Sequence, residues 1–347
     1  MKGVNEMPRK FRWLTGGALA VALASVSFVG SAPVEAAPAS KCAPGASIEE
    51  FAVPTPNSGP IVIAVGPDAN LWFTEINGNK IGRMTEDGQF TEFAIPTPNS
   101  RPDGIAVGPD DNLWFAEVLG NKIGRITTQG VISEFAVPTV DSRPTVIEPG
   151  LGEALWFTER GTAANPGEKV GRITTDGEIT EFTTPTVDSR PLSITLGRDG
   201  NMWFTEQRAN NIGRITPDGV VTEFPVPTPN SQPWEITRGK DDALWFTEAS
   251  GNKIGRITTD GLITEFAVPM ASSFPNDIAR GPGRTLYFAE TLGDKIGCIT
   301  LAGAITEFPI PTADSQPIGV AEGLHDDVWF AESVGNKIGH MLLEDPD

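Results

Sequence analysis

The chain has 347 residues, 39% hydrophobic and 20% charged, enough apolar material for a buried core and too much for a disordered polymer. Its formal net charge of −19 repels phosphate backbones and anionic lipid, which excludes nucleic acid and membrane surfaces as natural partners. Two cysteines and two histidines leave no room for a Cys/His metal cluster.

The N-terminus carries Lys2, Arg9, Lys10 and Arg12, then an apolar stretch rich in small residues from Trp13 to Ala32. Residues 1–36 therefore read as a secretory signal peptide, and the expected mature protein is secreted and extracellular. No segment after Asn57 is long and apolar enough to span a bilayer, so no stable membrane insertion is expected after cleavage. Residues 37–46 form an N-terminal segment containing Cys42. Pairing with Cys298 would tie that segment to the body, whereas two distant free thiols is the commoner outcome, and the sequence leaves the choice open.

From residue 47 to 343 one unit recurs, typified by LWFTEASGNKIGRITTDG at 244–261. Its aromatic falls at Trp72, Trp114, Trp156, Trp203, Trp245, Tyr287 and Trp329, at spacings of 42, 42, 47, 42, 42 and 42 residues, with an insertion at 161–167 explaining the long one. A period near 42 built of short alternating strands indicates one propeller blade per repeat. In the fifth unit the expected strands are Trp234 to Arg238, Ala243 to Glu248, Ile254 to Thr258 and Leu262 to Val268, with Asp260-Gly261 as a hairpin turn. The outer-strand Glu-Phe occurs first at Phe51, before any inner strand, and the last unit stops after Met341 without one. The expected fold is thus an all-β, seven-bladed propeller of four-stranded antiparallel blades, its ring closed by the N-terminal strand completing the last blade. Such a ring needs no partner, so a monomer is expected, with residues 344–347 as a short tail.

Adjacent strand residues point to opposite faces, so Trp245 and Phe246 should fill the contacts with the two flanking blades. A glutamate follows in every unit (Glu75, Glu117, Glu159, Glu206, Glu248, Glu290, Glu332), and sevenfold presence points to a structural ion pair or turn cap rather than catalysis. The repeated Arg83, Arg125, Arg172, Arg214 and Arg256 is the expected partner, replaced by Cys298 and His340 in the last two units.

Units reading LWFTE, GNKIGRIT, ITEF and VPTPNSxP resemble the virginiamycin B lyases, seven-bladed propellers that linearise streptogramin B antibiotics by elimination across an ester bond. The resemblance implies a histidine base in a Pro-His-x-Ile sequence on the last two blades, and Mg2+ to polarise the lactone. The seven positions after the inner-strand proline here are Ile61, Asp103, Thr145, Leu192, Trp234, Asn276 and Ile318, so Asn276 and Ile318 stand where the catalytic histidines would be. Gln316 matches the family's acid before the second Pro-His, and Glu332 is the possible remaining acid. His325 falls in a turn and His340 takes the slot of the repeated arginine, which favours solvated and structural roles respectively.

The units differ most around the inner strands, and those differences supply the candidate ligand-binding set at the channel mouth: Asp103, Arg143, Arg190, Trp234, Glu235, Asn276, Asp277 and Gln316. A mouth lined by indole, amide and a few charges suits a small-molecule, peptide or glycan ligand. Asp103, Glu235 and Asp277 carry hard oxygen donors that a divalent Mg2+ or Ca2+ would accept. Three readings stay open: a ligand- or partner-binding member without elimination chemistry, a Mg-dependent streptogramin B lyase, and a divalent-metal lactonase.

Overall fold

The computed structural model describes Cys42 and residues 45–343; the signal peptide expected at 1–36 and the tail lie outside the described residues. Among the described residues there are twenty-eight strands and no helix, and the strands form seven four-stranded antiparallel sheets. Strand β1 (Ser47–Ala52) precedes the first inner strand. Blade 1 is β2 (Pro60–Val65), β3 (Leu71–Glu75), β4 (Lys80–Met84) and β5 (Phe90–Ala94). Blade 2 is β6 (Pro102–Val107), β7 (Leu113–Glu117), β8 (Lys122–Ile126) and β9 (Ile132–Ala136). Blade 3 is β10 (Pro144–Pro149), β11 (Ala154–Gly161), β12 (Pro166–Thr174) and β13 (Ile179–Thr183). Blade 4 is β14 (Pro191–Leu196), β15 (Met202–Glu206), β16 (Asn211–Ile215) and β17 (Val221–Pro225). Blade 5 is β18 (Pro233–Arg238), β19 (Leu244–Glu248), β20 (Lys253–Ile257) and β21 (Ile263–Ala267). Blade 6 is β22 (Pro275–Gly281), β23 (Thr285–Glu290), β24 (Lys295–Thr300) and β25 (Ile305–Pro309). Blade 7 is β26 (Pro317–Glu322), β27 (Val328–Glu332) and β28 (Lys337–Leu342), completed by β1, which pairs antiparallel with β28 from Ser47↔Leu342 to Ala52↔Lys337.

The core lies between blades. Trp245 packs with Phe288 of the next blade, and Phe246 with Trp203 of the previous one, and the same exchange recurs around the ring. Alternation along the strand sends the two aromatics to opposite sheet faces, so each blade boundary receives one from either side. Gly255 is obligatory in this packing because a Cβ there would stand 2.1 Å from the Phe246 ring.

The expected pairing of the repeated glutamate with the repeated arginine does not occur. Arg256 lies across the ladder from Trp245, three residues from Glu248, and its guanidinium packs on the indole 5.8 Å from the ring centroid while its Nε donates to Asp241. The glutamate is instead fully buried, and among the described residues neither oxygen of Glu75, Glu117, Glu159, Glu248, Glu290 or Glu332 has a hydrogen-bond donor in good geometry. Burial first, then the neighbouring outer-strand glutamate, pushes Glu117 to about 8 and Glu248 to about 7, so these groups keep their protons near neutrality.

The ion pair that does recur is between the lysine of GNK and the glutamate of the outer strand. Lys122 Nζ lies 2.8 Å from Glu134, which also accepts the Thr97 amide from the preceding blade's connection. The same clamp closes the ring, with Lys337 2.7 Å from Glu50 and both Thr312 donors on Glu50. Cys42 and Cys298 form a disulfide, so the pairing that the sequence leaves open is made. Cys298 sits opposite Tyr287, in the arginine slot, and Cys42 packs in the same buried cluster.

Candidate functional site

Each inner strand opens with a proline and then bulges; in blade 5 the register shifts between Pro233 and Ile236. The bulge breaks the ladder, and in blades 1, 3, 4 and 5 a threonine from the second strand repairs it, whereas blades 2, 6 and 7 carry alanine there. Thr205 Oγ1 accepts from Ser193 N at 3.1 Å and donates to the Trp234 carbonyl of the next blade at 2.7 Å. The inner strands of blades 3 to 6 are thereby stitched together at the residues that follow the prolines, which holds Leu192, Trp234 and Asn276 at fixed positions on the channel wall.

The channel encloses a cavity of about 720 Å³, within the range of small-molecule sites. Of the candidate residues, Asp103, Trp234, Glu235, Asn276 and Asp277 line it. Arg143, Arg190 and Gln316 are not among the lining residues and lie on the loops that lead into the inner strands, each with a left-handed backbone (φ of 52°, 55° and 50°). Glu332 lies outside the cavity lining, fully buried as the blade 7 copy of the repeated glutamate and pushed up to about 8 by burial and by Glu50.

Trp234 is half-buried and meets the Phe274 ring edge-on, centroids 5.6 Å apart, which gives the mouth one aromatic wall. Asn276 is 8% exposed, and among the described residues its side-chain amide has no hydrogen-bond partner. Deeper carboxylates crowd one another. Ser193 Oγ donates to Glu235, whose acidity is weakened by burial and then by Asp277, well above the ordinary range. Asp277 is pushed up to about 7 by burial, partly offset by the Val320 amide, which donates to its Oδ2 at 2.8 Å. Glu148 rises to about 8 through burial and repulsion from Asp277. Asp103 rises only to about 6, because Arg160 and Arg101 oppose the effect of burial.

Arg160 is the residue that the sequence reading missed. It stands one position after the repeated glutamate, where the other blades carry Ile76, Val118, Gln207, Ala249, Thr291 and Ser333, and it lines the cavity. The signal was available, since the 161–167 insertion begins immediately after it.

Neither histidine reaches the channel lining. His340 stacks on Trp329 at 3.7 Å and its Nε2 lies 2.6 Å from Asp327; His325 is in an exposed turn, 3.2 Å from Glu86. The Mg2+ that the resemblance implies does not find a donor set: among the described residues no three His, Cys, Asp or Glu side chains are grouped to hold a metal ion, and the histidine positions supply an amide and an alkyl chain.

Comparison with known proteins places this geometry. A family model described as the Virginiamycin B lyase family matches residues 17–236 and 163–345. A streptogramin B lyase structure superposes with a TM-score of 0.82 at 39% identity, covering 86% of this chain and 98% of the other. Virginiamycin B lyase from Staphylococcus aureus is 42% identical at the same TM-score, covering 86% and 100%, and a catalytically inactive histidine-to-alanine form with quinupristin is 41% identical. The virginiamycin B lyase of Bacillus licheniformis is 51% identical over 39 residues, an alignment that spans 11% of this chain and 13% of that protein. The extracellular domain of a putative hybrid two component system from B. thetaiotaomicron shares the fold at 13% identity and a TM-score of 0.68.

Proposed function

The chain belongs to the virginiamycin B lyase family, and from that premise we propose that it is an exported, monomeric, ligand-binding propeller whose channel mouth captures a small molecule, peptide or glycan without elimination chemistry. The observation that carries this reading is the pair Asn276 and Ile318 at the positions of the family's histidines. An amide does not accept a proton at neutral pH, and an alkyl chain does not at any pH. His340 is committed to Trp329 and Asp327, and His325 points to Glu86, so neither is placed to substitute. What remains suits capture: the Trp234 ring, braced edge-on by Phe274, offers an apolar face, and the free amide of Asn276 offers both a donor and an acceptor to a ligand that displaces water.

The test is incubation of purified protein with quinupristin and Mg2+, followed by mass spectrometry. The lactone is expected to stay intact, while Trp234→Ala weakens ligand retention by about tenfold, the loss expected for one aromatic anchor, without lowering the melting temperature. A ring-opened product would end the reading.

One observation favours a second reading, a lyase in which Asp277 takes the part of the histidine. Its carboxylate, at about 7, is poised as a base near neutral pH and adjoins Asn276. In that case ring opening is seen, its rate rises with pH through about 7, and Asp277→Asn abolishes it.

A further inference from the structure

Nearly all of the repeated cations in this acidic chain are consumed by the frame. The lysines of blades 1, 2, 3, 5, 6 and 7 are paired with outer-strand glutamates, and Arg83, Arg125, Arg172, Arg214 and Arg256 lie on the blade tryptophans. Nine described arginines do not follow the repeat, and four of these are Arg101, Arg143, Arg160 and Arg190. Arg101, Arg143 and Arg190 precede the inner strands of three consecutive blades, and Arg160 ends the second strand of the middle one, its amide donating to the Arg143 carbonyl at 3.3 Å. Among the described residues none of the four guanidinium groups makes a hydrogen bond or ion pair. They are near enough to act on one another: burial and then, against the attraction of Asp103, the charges of Arg143, Arg101 and Arg190 hold the Arg160 guanidinium below its ordinary value.

The backbone shows a second, independent cost. Arg101, Arg143 and Arg190 hold φ of 52°, 52° and 55°, a region where side chains are strained and glycine is not. Blade 1 fills the equivalent position with Gly59 at φ 64°. Blades 5, 6 and 7 place Gln232, Phe274 and Gln316 there with the same left-handed backbone, so what sets blades 2 to 4 apart is the choice of arginine at three consecutive positions.

We propose that blades 2 to 4 form an anion-binding arc at the channel mouth, so that the captured ligand is an organic anion, a carboxylate, sulfate or phosphate on an apolar body. The inference rests on the binding reading above and deepens it. The guanidinium forks of Arg143, Arg160 and Arg190 meet the acid group, each able to give paired hydrogen bonds to its oxygens. The body of the ligand lies across the mouth on Trp234 and Phe274. Asp103 leaves the arc with a net positive charge inside a molecule that is otherwise strongly negative.

The test uses the full chain and two fluorescent probes of one shape, anilinonaphthalene sulfonate and its uncharged parent, phenylnaphthylamine. The sulfonate is expected to bind at one site per chain, at least about tenfold more tightly than the uncharged probe, and to weaken with added salt. The double substitution Arg160→Gln with Arg190→Gln should remove about tenfold or more of the sulfonate's affinity and leave the uncharged probe's affinity unchanged. Should that variant fail to fold, Arg143→Gln alone, on the rim loop, gives a several-fold loss. Equal binding of both probes, weakened only by Trp234→Ala, would overturn the anion assignment and keep the mouth as a binding site. If neither probe binds, the capture reading falls with it.

Discussion

At the scale of single residues, the blade aromatic sets a requirement that three chemistries meet. In five blades an arginine covers the indole face; in blade 6 the Cys42–Cys298 disulfide occupies that place beside Tyr287; in blade 7 the His340 ring lies on Trp329 at an interplanar angle of 6°. If coverage is the role of His340, then His340→Arg retains stability within about 1 kcal/mol. His340→Ala, which leaves the buried Asp327 carboxylate only the Trp329 Nε1 and His325 amide donors, should cost about 1–3 kcal/mol in urea unfolding. Conversely, burial works against the Asp327 charge, and His340 holds that carboxyl below its ordinary value, so Asp327 depends on its partner. The aromatic positions, their period and their two-sided packing were legible from the sequence because strand alternation converts adjacent letters into opposite faces. The arginine partner was not, because proximity in the text does not reveal the ladder: Arg256 faces Trp245, and Glu248 faces Lys253.

At the scale of elements, what locks one blade to the next is a clamp whose parts come from three places. In blade 2 these are Lys122 on β8, Glu134 on β9 and Thr97 in the connection from blade 1. The Asn121 side chain adds a second tie, donating to the Val137 and Thr139 carbonyls and accepting from Ser142 N at 2.8 Å. Lys122→Met should therefore cost about 1–3 kcal/mol, more than an exposed pair would, because Glu134 is left partly buried with one donor fewer. Urea unfolding of the single variant and of Lys122→Met with Glu134→Gln checks this, the double costing less than the sum if the two act on each other. The clamp could not be read from the unit sequence because its threonine belongs to the preceding repeat, 37 residues from the glutamate. Arg160 escaped for a different reason. An insertion was visible as a change in spacing, but spacing does not tell which flanking side chain turns into the channel.

At the scale of the whole molecule, two populations of carboxylates pull stability in opposite directions with pH. The seven repeated glutamates are raised from 4.5 to about 7 or 8 by burial, so the folded state holds their protons while the unfolded chain has released them. Their contribution is full below 4.5 and is lost as pH climbs through 7 to 8. The clamp glutamates Glu50, Glu92, Glu134, Glu181 and Glu265 behave the other way: despite the opposing effect of burial, their lysine and threonine partners hold them below 4.5, and their contribution is lost as pH falls through those lowered values. Calorimetric melting temperatures should thus be highest in the mildly acidic range near 5, decline toward 8, and level off above it. A melting temperature that rises steadily from pH 5 to 8 would contradict the buried, protonated state of the glutamates. The pairing of β1 with β28 has a consequence for the order of events. The strand synthesised first among the blades must wait for the one synthesised last, and no intermediate length of chain can complete a ring. Each of the first six blades can form from a continuous stretch of chain, yet the seventh is assembled from both ends of the propeller, and the Cys42–Cys298 link fastens the early end to blade 6 beside it. The molecule is therefore a belt with its buckle at one blade: cutting the chain elsewhere and joining the old ends would move the buckle, whereas losing β28 alone would leave it unfastened.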